Sequence, residues 1–371
     1  MKKEIKYLVM SDLHFGHKVN TINIMGNNLL HFFNSYKEVI KDIDILFLAG
    51  DIFDNYIPSY TETYLKITKV MIEVIKWCQH YNVKLRVLEG TPSHDWRQAS
   101  VISTIIKDLD IKIDYKYIDK VDIETMEEYN LNILYVPDQV KPKGEDVYKE
   151  VKKVLKEKNL NNIDIAIMHG QFHYQFPKLK LDSSHNEEDY LSIVKHYIHI
   201  GHIHNHTSKG RIIAQGSFDR IAHGEEEDKG CVLSKIYLED SKKDEWMFLV
   251  NKQSMIFKTL NYLNKTSEDI ISSLRKDLKH VLKGSSIRLV INEETKELIK
   301  TKAFKDLTKD YQMKYLYPDK EKIKLGDVII KEVTIDSFTI TKENILELLD
   351  QEFKNNNLIE DGHIELLKTY I

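Results

Sequence analysis

The sequence predicts an α/β protein, and three observations carry that expectation. Short, nearly continuous apolar runs at 43–48, 83–88 and 163–168 have the length and composition of strands covered on both faces. Longer stretches with apolar residues at helical spacing alternate with them, most clearly at 60–81. The apolar runs also end in aspartates and histidines, and open α/β sheets gather their ligands at the carboxyl ends of strands. A chain of 371 residues is long for one domain, which suggests two, or one large domain with an appendage.

The first strand, at 6–10, runs into Ser11-Asp12-Leu13-His14-Phe15-Gly16-His17. An Asp-x-His spacing at a strand end lets Asp12 and His14 reach one cation. A helix is expected over 29–40. The strand at 43–48 leads to Ala49-Gly50-Asp51-Ile52-Phe53-Asp54, where Gly50 permits a tight turn and leaves Asp51 at the carboxyl end. The helix at 60–81 has an apolar stripe of Leu65, Val70, Met71, Val74 and Ile75. Cys78 continues that stripe, which makes it a core residue. The strand at 83–88 ends in Glu89-Gly90-Thr91-Pro92-Ser93-His94-Asp95-Trp96. Further on come a helix at 101–109, a strand at 131–136, a charged amphipathic helix at 145–158 and a strand at 163–168 that ends in His169-Gly170. The apolar run Tyr197-Ile198-His199-Ile200 ends in Gly201-His202-Ile203-His204. Successive side chains on a strand point to opposite faces, whereas a loop starting at Gly201 frees both imidazoles to converge. Strands at 211–214, 231–238 and 246–250 complete the pattern.

Each signature alone fits a simple turn or a surface histidine. Their common position at strand ends points to one metal site built from Asp12, His14, Asp51, His94, His169, His202 and His204. Oxygen and imidazole donors without thiolate suit Mn²⁺, Fe²⁺ or catalytic Zn²⁺ better than a structural zinc. The set is too large for one ion and suits two divalent ions about 3.5–4 Å apart, bridged by one carboxylate. Two such ions outweigh the charge of Asp12 and Asp51, which leaves positive charge for a phosphodiester anion.

In this order, Asp12-Leu13-His14, Gly50-Asp51, Ser93-His94-Asp95, His169 and Gly201-His202-Ile203-His204 resemble the calcineurin-like metallophosphoesterase superfamily, over roughly the first 250 residues. The resemblance implies two stacked β-sheets flanked by helices. It assigns Asp12, His14, Asp51 and His204 to one metal, and Asp51, His169, His202 and the residue before His94 to the other. His94 becomes the general acid or transition-state stabiliser, steadied by Asp95. The family pattern is Gly-Asn-His-Asp. Counting back from His94 puts Ser93 in the place of the metal-binding Asn, one neutral oxygen donor for another.

Within that superfamily the chain most resembles SbcD-type DNA-repair nucleases. The grounds are Gly50-Asp51-Ile52-Phe53-Asp54, Gln215-Gly216-Ser217-Phe218 followed by Lys229-Gly230, and an appendage of strand–helix–strand units after residue 253. The implied organisation is a nuclease domain at 1–252, a small α+β capping domain at 253–335 that binds DNA, and C-terminal helices at 336–371. Such a C-terminal pair docks on an SbcC-type ABC ATPase. The resemblance further implies a homodimer, through helices that follow the Asp54 and His94 loops, and Mn²⁺ as the metal. Phe15 and Tyr56 are candidates to stack on a base, and His17 to contact substrate. A stand-alone phosphodiesterase for small esters and a non-catalytic scaffold are the rival readings.

Net charge is −4, which does not advertise a nucleic-acid binder. Its distribution says more: between Ser254 and Tyr317 there are 13 Lys/Arg and 8 Asp/Glu, a charge of +5 against −9 for the rest. A basic module on an acidic body fits a polyanion partner. No apolar run approaches the about 20 residues of a membrane span. The segment before Asp12 is too short for a signal peptide. The two cysteines, far apart, fit reduced residues, and a cytoplasmic setting is expected.

Overall fold

A computed structural model describes residues 2–138, 143–175 and 181–318. Among these, two six-stranded mixed sheets are flanked by helices. The first sheet runs, in spatial order, Glu245–Val250, Gly230–Tyr237, Glu4–Met10, Ile45–Ala49, Lys84–Leu88 and Tyr115–Ile118. The second runs Asp122–Met126, Leu131–Val136, Ile165–His169, Ile198–Gly201, Ile212–Ala214 and Thr207–Lys209. This is the expected α/β architecture of two β-sheets flanked by helices.

Alternation along the inner strands explains why they read as unbroken apolar runs. Tyr7, Val9, Ile45, Phe47 and Ala49 share one core cluster with Ile133, Tyr135, Ile165 and Ile167 of the second sheet. Leu8, Met10, Leu46, Leu48, Leu85 and Val87 face the other way, into a cluster with the helices Ile22–Ser35 and Glu62–Tyr81. The outer face of the second sheet, including Leu134, Val136 and Met168, is covered by Val147, Val151 and Leu155 of the helix Gly144–Glu157. Each inner strand is thus buried on both faces. Cys78 lies in the first of the helix-covered clusters, and both cysteines are free and buried.

The helix expected over 29–40 begins earlier, at Ile22, and breaks near Tyr36, so that Lys37–Ile40 is a separate short turn. Ile22 and Met25 extend its buried face beyond the predicted start. The strands Tyr115–Ile118, Asp122–Met126 and Thr207–Lys209 were not anticipated.

The segment after residue 253 forms a third sheet, Phe257–Asn261, Ser286–Val290 and Gln312–Leu316, with all strands parallel. The helices Ser267–Asp277 and Lys302–Thr308 belong to its crossovers, and Leu260, Ile270, Leu274, Ile287, Leu289 and Phe304 pack in a core of its own. Buried Asp219 ties the start of this unit to the body, accepting hydrogen bonds from Ser254 Oγ and Met255 N, each 2.8 Å long. The helical segment expected at 336–371 lies outside the described residues. Among the described residues no helix is long and apolar enough to cross a membrane.

Candidate metal centre

The parallel strands of both sheets deliver their carboxyl ends to one place. The loops after Met10 and Ala49 run side by side: Asp12 N donates to Gly50 O at 3.0 Å, His14 N to Asp51 O at 3.0 Å and Phe15 N to Ile52 O at 2.8 Å. Asp12, His14, Asp51 and His202 have φ of 53°, 47°, 50° and 100°. Left-handed backbone at a non-glycine residue costs roughly 1–2 kcal/mol, and such conformations cluster where side chains must be aimed. Close packing tightens the site further. A Cβ on Gly50 would run into the His169 ring, and one on Gly90 into Asp51.

Among the described residues three groups of potential ligands result: a first cluster of Asp12 with His14 and His204, a second of Asp51 with His169 and His202, and a third in which His14 meets Asp54 and His94. In the first, His14 Nε2 lies 3.1 Å from His204 Nε2, and Asp12 Oδ1 lies 4.0 and 3.9 Å from those two nitrogens. In the second, His169 Nε2 lies 3.2 Å from Asp51 Oδ2. The same Asp51 oxygen is 3.9 Å from His14 Nε2, so it stands between the clusters.

The outer nitrogens hold the rings in place. His169 Nδ1 donates to Ala49 O at 2.7 Å, His204 Nδ1 to Glu225 Oε1 at 2.9 Å, and His14 Nδ1 faces Asp54 Oδ1 at 3.4 Å. A carbonyl or carboxylate oxygen can only accept, so on His169 and His204 Nδ1 carries a proton and Nε2 is the atom turned inward, the usual way of orienting a metal-binding histidine. The two inward nitrogens of His14 and His204, 3.1 Å apart, need a cation or a proton between them. The donor set therefore fits divalent metal ions.

The carboxylates of the centre also draw positive charge toward it, onto the rings themselves where a proton takes the place between them. Burial works to raise the Asp51 pKa, yet the neighbouring His169 charge and hydrogen bond hold it below the usual carboxylate range. Burial works against charge on His169, but Asp51 outweighs it and holds the pKa up at about 10. His204 is likewise raised against burial by its bond to Glu225 and the charge of Asp12. His202 is lowered by burial and by His169.

His94 donates from Nδ1 to Asp54 O at 2.6 Å, and its ring centroid is 4.9 Å from that of His14. Its free Nε2 therefore stands beside the first cluster. The expected support from Asp95 is not what the structure shows. Asp95 is fully buried and accepts from Phe53 N at 2.9 Å and Gly90 N at 2.8 Å, so it knits two loops together while Asp54 steadies His94. Burial and the charges of Asp51 and Glu89 push its pKa up to about 8.

Ser93 is not brought to the centre. It sits in the turn Pro92–Asp95, exposed, and its carbonyl accepts from Trp96 Nε1 at 2.7 Å. Thr91, just before that turn, faces the second cluster instead, with Thr91 N donating to Asp51 Oδ1 at 2.5 Å. Phe15 is not available to stack on a base. Its loop pairs with Phe53 and both rings are buried in the helix-covered core. His17 is half-buried, accepts from Asn20 N at 3.0 Å and lies 6.5 Å from the Phe257 ring of the third-sheet unit. Tyr56 is 59 % exposed beside Trp96, with ring centroids 6.2 Å apart.

Three residues that the sequence reading left without a role stand at the site: Thr91, Asp54 and Glu225. Asp54 and Thr91 carry a signal, since each follows a motif glycine at a strand end. Glu225 lies in a polar run of Gly224-Glu225-Glu226-Glu227-Asp228 that gives no reason to single it out.

No family model matches the chain, and no curated protein does. Solved structures similar to it include "GAP50 the anchor in the inner membrane complex of Plasmodium", at 13% identity and TM-score 0.39, covering 69% of this chain and 87% of that one. Another is TT1561 of Thermus thermophilus, at 10% identity and TM-score 0.38, covering 66% of this chain and 98% of that one.

Proposed function

We propose that this protein is a dinuclear metal-dependent phosphodiesterase that cleaves DNA, with Mn²⁺ as its metal, in the manner of the SbcD-type nucleases its motifs resemble. The observation that carries the reading is the position of Asp51 Oδ2, 3.2 Å from His169 Nε2 and 3.9 Å from His14 Nε2, between two clusters that face the same space. Asp12, His14, Asp51, His169, His202 and His204 would hold two divalent ions there, which would supply an activated water and positive charge for in-line displacement at phosphorus.

The chain's own residues do the rest. Ala49 O, Glu225 and Asp54 keep the ligand rings turned inward. His94, held by Asp54 O, presents Nε2 to the phosphoryl group or its leaving oxygen, and with a second proton carried on Nε2 would pass that proton to the leaving oxygen. Support for a polymer substrate comes from the +5 charge of residues 254–317 on a −9 body. The third-sheet unit that carries it touches the body close to the site, through Phe257 beside His17 and Ser286 Oγ at 3.2 Å from His223 Nε2. A homodimer, an SbcC-type ATPase partner and a cytoplasmic setting belong to the same reading and rest on the motif resemblance.

The test is the purified protein with Mn²⁺ on labelled single- and double-stranded DNA, beside a small chromogenic phosphodiester. The reading expects metal-dependent cleavage of DNA. Hydrolysis of the small ester with DNA left intact would support a stand-alone phosphodiesterase, and no hydrolysis of either would support a scaffold.

A further inference from the structure

Thr91 is a side chain at the centre to which the motif pattern gives no role, and its hydroxyl reaches Asp51 Oδ2. It precedes the turn Pro92–Asp95 in extended conformation, φ −61° and ψ 127°, which is the N-cap position. A threonine there ordinarily turns its hydroxyl onto a free backbone N–H of the first turn. Here the side chain makes no such bond. Its Oγ1 points instead at the second cluster, 3.1 Å from Asp51 Oδ2, 3.2 Å from His202 Nδ1 and 3.4 Å from His169 Nε2. The hydroxyl can donate once, to Asp51 Oδ2, and accept twice, so the other two contacts are hydrogen bonds only if both imidazoles donate to it.

The same distances have a simple meaning around a cation. Metal–ligand bonds of about 2.0–2.2 Å place neighbouring donors roughly 3.3–3.6 Å apart in a tetrahedron and roughly 2.8–3.1 Å apart in an octahedron. The contacts from Thr91 Oγ1, together with the 3.2 Å between Asp51 Oδ2 and His169 Nε2, fall in that span. We infer that the Thr91 hydroxyl oxygen is the fourth protein donor to the second ion, in the place the motif spacing assigns to Ser93. The inference rests on the dinuclear reading above. A neutral alcohol is a weak donor, so the second site is the weaker of the two. Asp12, His14 and His204 do not depend on it.

Calorimetric titration of the full chain with MnCl₂ tests this without reference to activity. Thr91→Val keeps the shape and the backbone N–H that bonds Asp51, and removes only the oxygen. The expected result is two binding events in the unaltered protein. In Thr91→Val the weaker one should fall in affinity by about tenfold or more, the usual range for losing a polar partner of a metal site, while the stronger stays unchanged. Thr91→Ser should restore the weaker event, and Ser93→Ala should leave both as they were. If Thr91→Val does not fold by circular dichroism, Thr91→Ala gives the same comparison. Two unchanged events in the valine or alanine variant, equal weakening of both events, or loss in Ser93→Ala instead would overturn the assignment while sparing the dinuclear reading. An unaltered protein that takes up fewer than two ions would overturn the dinuclear reading and this inference with it.

Discussion

Asp51 ends an inner strand with one carboxylate oxygen turned toward both clusters. If it bridges two ions, removing it leaves two cations facing each other with no shared anion, and their repulsion at short range is large. Asp51→Ala should therefore lose both ions, and metal analysis after dialysis that finds two tightly held ions would contradict the bridging role. His94 is assigned a different task, because its Nδ1 is spent on Asp54 O and its ring stands edge-on to that of His14, although it also groups with His14 and Asp54. His94→Ala should keep its metal content, while turnover of a chromogenic phosphodiester falls roughly 10²–10⁴-fold, the usual worth of acid–base catalysis. Metal loss equal to that of Asp51→Ala would move His94 into the ligand set. A third residue matters for stability instead. His199 lies between the sheets against Tyr7 and Ser234, and burial pushes its pKa down to about 3. Unfolded histidine titrates near 6.5, so between those values the unfolded chain binds a proton that the native protein refuses. Stability is present above that window and is lost as pH falls through it, by about 2 kcal/mol at pH 5. Melting temperatures at pH 7 and pH 5 should differ less in His199→Gln than in the unaltered protein, and an equal difference would remove His199 as a cause. At this scale the sequence spoke clearly for Asp12, His14, Asp51, His169, His202 and His204, because each is a metal-binding type placed at a strand end. It misled at Ser93 and Phe15, because counting along a motif does not reveal which way a turn or a loop aims its side chains.

The elements most legible in the sequence were the inner strands, since burial on both faces leaves an unbroken apolar run. The unanticipated strands, Tyr115–Ile118, Asp122–Met126 and Thr207–Lys209, each lie at the edge of a sheet. An edge strand borrows its stability from a single neighbour and can be polar: Thr207–Lys209 is wholly exposed. The strand–helix–strand units after residue 253 were readable for the same reason as the inner strands, because Ile287, Leu289, Ile270 and Leu274 build a core of their own. What the sequence left open is the use of that unit. If its excess of lysine and arginine tracks a phosphate backbone, DNA affinity should fall steeply with salt. For about four phosphate contacts the loss is roughly 10²-fold between 50 and 200 mM. Fluorescence anisotropy on the full chain measures this, beside a variant in which residues 257–318 are replaced by a short linker. Salt-independent binding, or equal affinity without the unit, would return the substrate to a small ester.

Across the whole molecule, the two stacked sheets exist to bring strand ends from distant parts of the chain to one point. The first sheet delivers Asp12, His14 and Asp51, and the second delivers His169, His202 and His204. Neither sheet holds both histidine-rich halves alone, which is why the site emerges from the sequence only when all the strand ends are considered together. The central claim is that this meeting point binds two ions on a shared carboxylate. Anomalous scattering from crystals soaked in Mn²⁺ tests it most directly. Two peaks about 3.5–4 Å apart are expected, one among Asp12, His14 and His204, the other beside His169 and His202, with Asp51 touching both. A single peak, or two peaks that do not share Asp51, would contradict it.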